Sequence, residues 1–482
     1  KLILHLQINL LWRLLQRLLL ISKTEKRREK LLSIFKTYKK FKYFVLVFIV
    51  SCSSGSSQNN GAENQDSIDT NYPSHPMVWE YSAPESVGMN SNLLDQAFDY
   101  AFTDGSFTQA AVVIKDGKLI YERYRGITND EAETLASILN SSSNLYKDIY
   151  GNRNKESLIT SWSTAKSFTS LLIGMAEENG HIESIQNSAS DYISEWSSDN
   201  RNTITIMNLL DMRSGLYPYC YDFLNSSLTE CTNSSDSSSG GNIVFSDDQM
   251  TGCIDRNYAT EGIFHPWYNN GQLIYSRGDF VYSNCDTMVL GEIIFRATGQ
   301  DIQTYAEYNL FSKIGIDANW WKDFTSDGQS NGNYLAYCCL DTTARDFAKF
   351  GYMLLLNGVW EGSNQKYESY INKIKNITSY GLQFWTICAK PQSNDQCNEW
   401  IISTIGFDGQ YIMIDFSRNL VVVRASLYQP IQNLSQEKKM KLVNSDISKS
   451  NWVATVPRGL GTNLNSNFNP SQFFKLVTDS IN

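Results

Sequence analysis

Residues 163–178 read STAKSFTSLLIGMAEE, and the interpretation of the whole chain starts from this stretch. Apolar residues recur across it at helical spacing, and Asn179-Gly180 follows as a stop signal, so an amphipathic helix with a buried stripe is predicted over 163–178. Ser163 and Lys166 open this helix three residues apart and therefore lie on one face of it. The apolar positions of the stripe are Phe168, Leu171, Leu172 and Met175.

A serine and a lysine in this arrangement suit nucleophilic catalysis. The amine of Lys166, kept neutral by desolvation and nearby positive charge, can take the proton of Ser163. The first turn of a helix also favours a developing anion, because its free N–H groups and its dipole point toward it. The same spacing recurs without such a helix at Ser33/Lys36, Ser363/Lys366 and Ser435/Lys438. Helix context therefore indicates Ser163 as the nucleophile and Lys166 as its base.

A second motif, Tyr282-Ser283-Asn284, lies between the apolar pair Phe280-Val281 and a predicted helix over 287–297. The phenol of Tyr282 could relay protons between the serine and a leaving group. The amide of Asn284 could hold Lys166 and the substrate by hydrogen bonds. The alternative is a buried tyrosine whose hydroxyl is satisfied within the core.

A third motif, TIGFDGQ at residues 404–410, leads into a predicted strand. Gly406 and Gly409 would let the backbone approach a substrate closely. The backbone N–H of Phe407 could then join that of Ser163 in an oxyanion hole. A plain turn into the strand is the competing interpretation of this motif.

The order of predicted elements indicates an α+β fold, with helices flanking an antiparallel sheet that takes strands from both chain ends and with a helical lobe between them. Asp116-Gly117 marks a hairpin between the first two strands. A Ser/Asn/Gly-rich stretch over 225–242 predicts a surface loop, and Thr343 to Asp346 is a candidate capping box. The predicted strands are 110–114, 119–124, 382–387, 400–404, 410–414 and 420–425, and the further helices are 204–213, 287–297 and 343–356.

The N-terminal region has the pattern of a bacterial lipoprotein signal. Lysines at 36–42 precede an apolar run over 43–50, and IVSC at 49–52 resembles a lipobox that would place a lipid on Cys52. We therefore expect a leader at 1–52, a polar tether at 53–76 and the folded domain at 77–482. The expected location is the bacterial cell envelope, with the lipid as the only membrane contact. A transmembrane helix over Leu2–Ile21 is the alternative, which the buried charges of Arg13 and Arg17 disfavour.

Charge argues against a nucleic-acid partner. The first 50 residues hold 12 of the 41 Lys/Arg but only 2 of the 50 Asp/Glu, so the remaining chain is strongly acidic. Phosphate binding needs a basic face instead.

The cysteines and histidines restrict the chemistry further. Eight cysteines beyond Cys52 fit an oxidising compartment, and Cys388 and Cys397 flank a turn, which predicts a hairpin disulfide. No CxxC pair or nearby histidine supports a zinc site, so neither a metal nor an organic cofactor is predicted. A Ser-His-Asp triad would have to use His181 or His265, and neither lies in a recognisable triad motif.

Three further stretches carry a family resemblance: ITIMNLLDMRSGL at 204–216, TARDFAKFG at 343–351 and YGLQFW at 380–385. Together with residues 163–166 and 282–284, their order and spacing over about 80–480 resemble the class C β-lactamase-like serine hydrolases. Within that family the chain is most similar to 6-aminohexanoate-dimer hydrolases and related esterases. The resemblance implies a β-lactamase/transpeptidase-like fold and an acyl-enzyme formed on Ser163.

One departure from the family pattern bears on the substrate. β-Lactamases and DD-peptidases carry Lys-Thr-Gly where this chain has Thr404-Ile405-Gly406. The missing cation removes a partner for a substrate carboxylate. Hydrolysis of a small ester or linear amide is therefore expected, with β-lactamase or DD-peptidase activity as the alternative. A non-catalytic binding or sensor module of the same fold is a further alternative, but it would need no complete set of Ser163, Lys166, Tyr282 and Asn284.

Overall fold

The computed structural model describes residues 78–138, 142–216, 219–222, 227–230, 248–256, 277–323, 332–359, 367–392, 396–427, 441–442 and 468–482. All of these residues belong to one compact unit. The predicted leader and tether, Cys52 and the alternative membrane helix at Leu2–Ile21 lie outside them. Among the described segments, no helix has the length and apolar character needed to span a membrane.

A seven-stranded antiparallel sheet forms the centre of the fold. The described strands, in chain order, are β1 Thr108–Lys115, β2 Lys118–Tyr124, β3 Leu158–Thr160, β4 Tyr219–Asp222, β5 Ser227–Glu230, β6 Asn319–Lys322, β7 Leu340–Thr343, β8 Tyr380–Gly381, β9 Phe384–Cys388, β10 Trp400–Gly406, β11 Gln410–Asp415, β12 Leu420–Ser426 and β13 Lys441–Leu442. The large sheet has the order β2-β1-β12-β11-β10-β9-β8, and smaller sheets have the orders β13-β6-β7-β3 and β4-β5. The predicted sheet with strands from both chain ends is therefore confirmed.

Helices cover both faces of the large sheet. Alternate residues of β1 point to opposite faces, and both sets are buried: Val112 and Ile114 join one core cluster, whereas Ala111 and Val113 join another. The described helices are α1 Ser91–Ala101, α2 Asn129–Ile138, α3 Ser143–Tyr150, α4 Ala165–Glu178, α5 Ile206–Leu210, α6 Gln249–Ile254, α7 Asn284–Thr298, α8 Ile302–Ala306, α9 Ser312–Ile314, α10 Ala344–Leu355, α11 Glu368–Lys375 and α12 Pro470–Asp479. Helices α1 and α12 pack on one face, and α4 and α10 contribute to the cluster on the other.

Helix α4 confirms the helix predicted over 163–178, but it is not amphipathic in its surroundings. Every residue from Ala165 to Ala176 is buried. Gly174 allows this packing, because a Cβ at this position would lie 2.3 Å from the Cγ atom of Tyr370. The helix therefore lies inside the molecule, between the sheet and the helical lobe, and brings its first turn to the junction of the two.

Three local predictions need correction. Residues 382–383, predicted as strand, form the turn between β8 and β9, and both Leu382 and Gln383 have positive φ. Ser227–Glu230, inside the predicted 225–242 loop, is strand β5, while most of that loop lies outside the described residues. The capping box of α10 is half formed: the Thr343 side chain accepts the Asp346 N–H, but the Asp346 carboxylate pairs with Lys349 instead.

Candidate active site

The nucleophile candidate Ser163 lies in a tight turn between β3 and α4. It is partly exposed in a 3₁₀ turn, Trp162–Thr164, that directly precedes the helix. Trp162 has a φ of +46°, which a bulky residue adopts only when its surroundings hold it there. Ser161 and Leu340 supply that support, since Ser161 N–H donates to the Leu340 carbonyl at 2.9 Å and Leu340 N–H donates to Ser161 Oγ at 2.8 Å.

The Lys166 amine lies among three oxygen atoms. Its Nζ is 3.0 Å from Ser163 Oγ, 2.8 Å from Asn284 Oδ1 and 3.0 Å from the Tyr337 carbonyl oxygen. Lys166 is only 1% exposed, and burial holds its pKa well below the ordinary lysine value. A neutral amine has two hydrogens and one lone pair. With its hydrogens donated to Asn284 and Tyr337, the lone pair points toward the hydroxyl of Ser163.

Tyr282 completes the polar group around Ser163. Its hydroxyl hydrogen-bonds with the Ser163 side chain, and burial raises the pKa of the phenol despite this bond. The Lys166 Nζ lies 4.9 Å from the centroid of the Tyr282 ring. Tyr282 therefore keeps its proton at neutral pH, so it suits the role of proton donor or relay, whereas Lys166 suits the role of base.

A buried ion pair fixes the segment that carries Tyr282 and Asn284. Arg256 and Asp286 are 2.9 Å apart and almost wholly buried, and Arg256 also donates to Ser283 Oγ at 3.1 Å. Ser283 is the N-cap of α7, because its side chain accepts the Asp286 N–H. The ion pair therefore holds the cap residue that lies between the two candidate site residues.

The third motif packs against the nucleophile turn. A Cβ at Gly406 would lie 2.3 Å from the Ser161 carbonyl oxygen, so only glycine permits this approach. Thr404 is fully buried, with its Oγ1 3.3 Å from Thr164 Oγ1 and accepting the Ile412 N–H at 3.2 Å. The side chain at the position where relatives carry a cation thus packs beside the motif of Ser163.

The turn after Gly406 places Phe407 next to the residue that precedes Ser163. The Phe407 ring packs against Trp162, with 5.9 Å between centroids, and positive φ values at Asp408 and Gly409 close the turn. The fully buried guanidinium of Arg424 donates to the carbonyls of Gly409 at 2.8 Å and of Asp408 at 3.3 Å. This arrangement is compatible with the predicted oxyanion role of the Phe407 N–H, which stays a prediction.

An aromatic wall, defined as Phe280, Tyr282, Tyr380 and Trp385, extends from the site. The Tyr282 ring lies 5.8 Å from that of Trp385 and 5.9 Å from that of Tyr380, measured between centroids. The Tyr380 hydroxyl is buried and has no hydrogen-bond partner within the described part of the chain. The sequence places Tyr380 and Trp385 in a family motif but indicates no role for them, because aromatic residues also fill cores.

Some contacts of the candidate site could not be predicted from the sequence. The Tyr337 contact to Lys166 is made by a backbone carbonyl, which any residue type supplies. Arg424 occupies a strand position where its neighbours are apolar, and nothing local to it indicates that it holds a distant turn.

Of the two histidines that a Ser-His-Asp triad could use, the structure describes one. His181 follows the C-terminal end of α4, about 20 Å from its N-terminal end at 1.5 Å per residue, and packs on Tyr305. It is therefore remote from Ser163, whereas His265 lies outside the described residues. Over the described segments, no cluster of His, Cys, Asp and Glu has the arrangement of a metal site.

The fold and the grouping of Ser163, Lys166 and Tyr282 define a protein of the β-lactamase/transpeptidase-like class. A family model for Beta-lactamase matches residues 101–430. The chain belongs to the Beta-lactamase family, whose members are serine hydrolases.

Solved structures with a similar fold share little sequence with the chain. The "Putative 6-aminohexanoate-dimer hydrolase from Bacillus anthracis" is 22% identical with a TM-score of 0.46, covering 72% of this chain and 81% of that one. A class C beta lactamase from Rhodobacter sphaeroides is 15% identical with a TM-score of 0.45, covering 72% and 96%. A penicillin-binding protein homolog from Caulobacter crescentus is 13% identical with a TM-score of 0.48, covering 70% and 91%.

Proposed function

We propose that this protein is a serine hydrolase that forms an acyl-enzyme on Ser163. The observation that carries the proposal is the position of Lys166, whose buried Nζ lies 3.0 Å from Ser163 Oγ with its pKa lowered by burial. A lysine that is neutral near pH 7 can act as a general base, whereas an ordinary exposed lysine cannot.

The proposed reaction has two steps. Lys166 takes the Ser163 proton as Oγ attacks the substrate carbonyl, and the oxyanion is bound by the N–H groups of Ser163 and Phe407. Tyr282 then gives its proton to the leaving group as the bond to the acyl carbon breaks, and it takes the proton held by Lys166, leaving the acyl group on Oγ. In the second step water gives a proton to Lys166 as it attacks this ester, and that proton passes to Ser163 Oγ as the acyl–Oγ bond breaks and the acid is released. Asn284 holds the amine throughout, and no cofactor takes part.

The proposed substrate is a small ester or linear amide rather than a β-lactam. Thr404 offers no cation for a substrate carboxylate, and its side chain is occupied with Thr164. A charge-assisted hydrogen bond of that kind contributes about 1.5–3 kcal/mol, so its absence costs carboxylated substrates roughly ten- to a hundredfold in kcat/KM. The aromatic wall beside Tyr282 suits an apolar acyl or leaving group.

Activity-based labelling and a substrate panel test the proposal. A fluorophosphonate should label the purified protein at Ser163, and Ser163→Ala should abolish the labelling. The same protein should hydrolyse p-nitrophenyl esters or short amide oligomers faster than nitrocefin. Labelling that persists in Ser163→Ala would remove the nucleophile assignment, and nitrocefin turnover far above that of every ester would remove the substrate assignment.

We further infer that the protein is exported and anchored in the bacterial cell envelope by a lipid on Cys52. The lipobox-like IVSC at 49–52 supports this location, and so do the disulfides between described cysteines, since such bonds persist in oxidising compartments. We propose the lipid as the membrane contact, and the acidic composition beyond residue 50 disfavours a nucleic-acid partner.

A further inference from the structure

Two neighbouring cysteines, Cys338 and Cys339, are joined by a disulfide next to the site. Their Cα atoms are 3.7 Å apart, and Cys339 has a φ of +64°. Both residues are buried, with exposures of 2% and 0%. The bond closes a small ring that contains the peptide bond between them, so it restricts the backbone at this one point of the chain.

The ring lies between a contact to Lys166 and a contact to the turn that carries Ser163. The residue before it, Tyr337, accepts the Lys166 amine on its carbonyl oxygen at 3.0 Å. The residue after it, Leu340, exchanges two hydrogen bonds with Ser161, two positions before Ser163. The placement of these two contacts relative to each other depends on the backbone angles between them, which the ring restricts.

Further bonds attach the same segment to its neighbours. Thr169, one turn beyond Lys166 in α4, donates to the Ala336 carbonyl at 2.6 Å. The Tyr337 phenol donates to Gln249 Oε1 at 2.7 Å, and the Trp321 N–H donates to the Cys339 carbonyl at 3.0 Å. The segment therefore packs against Lys166, which is 1% exposed.

Global stability does not account for a disulfide at this position. A disulfide stabilises mainly by restricting the unfolded chain, and this effect grows with the length of the loop that it closes. Cys253–Cys285 closes a long loop, at a sequence separation of 32, whereas Cys338–Cys339 joins adjacent residues. The effect of the short ring is therefore local.

We propose that the Cys338–Cys339 disulfide is a positioning device for Lys166. It fixes the Tyr337 carbonyl, which together with Asn284 takes the two amine hydrogens and so directs the lone pair at Ser163. The inference rests on the proposed function, because it assigns the ring a part in the action of Lys166 as a base. Neither cysteine touches the reacting atoms; both act through Tyr337.

The test compares Cys338→Ser/Cys339→Ser with Cys388→Ser/Cys397→Ser, which removes the hairpin disulfide between β9 and β10 instead. The first variant should lose about ten- to a hundredfold in kcat on the best ester, with KM changed less than about threefold, since small misplacements of a catalytic group have effects of this size. The acid limb of its pH profile should move to higher pH, because water that reaches the amine raises the Lys166 pKa. Among the described residues, the titratable groups that face Nζ are the phenols of Tyr282 and Tyr337, both kept protonated by burial. The control variant should keep the wild-type kcat and pH profile.

A second readout needs no hydrolysis. Competitive acylation of amines across pH, followed by peptide mass spectrometry, reports the Lys166 pKa in wild type and in both variants, with circular dichroism to show that each is folded. If the wild type hydrolyses nothing, the proposed function fails while the Lys166 pKa still tests the ring. If the double variant does not fold, native protein reduced with a dithiol and alkylated at Cys338 and Cys339 replaces it. An unchanged Lys166 pKa and kcat without the disulfide, or free thiols at both positions in active enzyme, would overturn the inference.

Discussion

Burial alone accounts for the lowered pKa of Lys166. The sequence led us to expect that nearby positive charge would help to keep the amine neutral, but desolvation is the physical cause of its lowered pKa in the structure. The neighbours of the amine are neutral groups: the Asn284 amide, the Tyr337 carbonyl and two phenols. The same burial raises the pKa of Tyr282, so the pKa values of the two groups diverge, as their proposed roles of base and proton donor require.

This divergence predicts a one-sided pH profile. Because Lys166 must be neutral, kcat/KM should fall about tenfold per unit as pH drops below the lowered lysine pKa. It should not fall correspondingly on the moderately alkaline side, where the phenol of Tyr282 keeps its proton. Lys166→Arg places a permanently charged group at the same point, so we expect a loss of about 10²–10⁴-fold in kcat/KM.

Lys373→Arg is the matched control, since Lys373 is a surface lysine paired with Glu177. Steady-state kinetics on one ester from pH 5 to 10 give the profile. If Lys166→Arg keeps both the rate and the acid limb, another group is the base.

At the scale of elements, close backbone approach joins the sheet to the nucleophile turn. Gly406, at the end of β10, is the point of contact, and a methyl group there would meet the Ser161 carbonyl. Gly299, which ends α7 with a φ of +72°, has no such neighbour, because a Cβ there meets nothing within 4 Å. Substitution of Gly406 therefore tests a steric requirement, whereas substitution of Gly299 tests a requirement for positive φ alone.

Gly406→Ala should lower kcat by about a hundredfold or more, because β10 or the turn of Ser163 must shift. Gly299→Ala should cost about 1–2 kcal/mol of stability through its left-handed backbone and leave kcat unchanged. Urea unfolding and ester kinetics on both variants make the comparison. Wild-type kcat in Gly406→Ala would show that the contact tolerates a side chain.

Local sequence patterns predict some of the elements correctly and miss others. The hairpin at Asp116-Gly117 and the helix of Ser163 follow short-range rules, and the structure contains both. The turn at Leu382–Gln383 breaks those rules, since neither residue favours positive φ. Tertiary contacts impose it: Leu382 N–H donates to Asp211 at 2.8 Å, and the Gln383 amide bonds to the end of α5 and to Thr287.

Part of the candidate site could likewise be predicted from local sequence, and part could not. Spacing and context place Ser163, Lys166, Tyr282 and Asn284 on motifs, and the fold brings these side chains together. The Tyr337 carbonyl depends on backbone geometry that residue identity does not encode. The Cys388–Cys397 pair was predicted from the turn between its members and is present, whereas adjacent Cys338 and Cys339 gave no such signal.

On the scale of the whole molecule, the proposed export concerns the sequence before the described domain. The proposed anchor at Cys52 predicts that palmitate is incorporated when the chain is expressed in a bacterial host. Cys52→Ala should lose the label and release the protein from the membrane fraction, while the folded domain keeps its ester hydrolysis. Cys397→Ser is the matched cysteine control and should stay lipidated. Equal labelling of Cys52→Ala would show that the lipid is elsewhere.

Because β1 pairs with β12, the large sheet can be completed only when the C-terminal strands are available. Arg424 in β12 bonds to Ser106, 318 residues away, and strands β11 and β10 depend on β12 for their place in the sheet. Until β12 is available, β1 can pair only with β2. During that interval its apolar residues and unpaired edge are exposed to aggregation, and contacts of such high sequence separation make folding slow. The contact between Gly406 and the Ser161 carbonyl forms only when these last strands are in place, so we expect a chain that lacks them to be inactive in the proposed reaction.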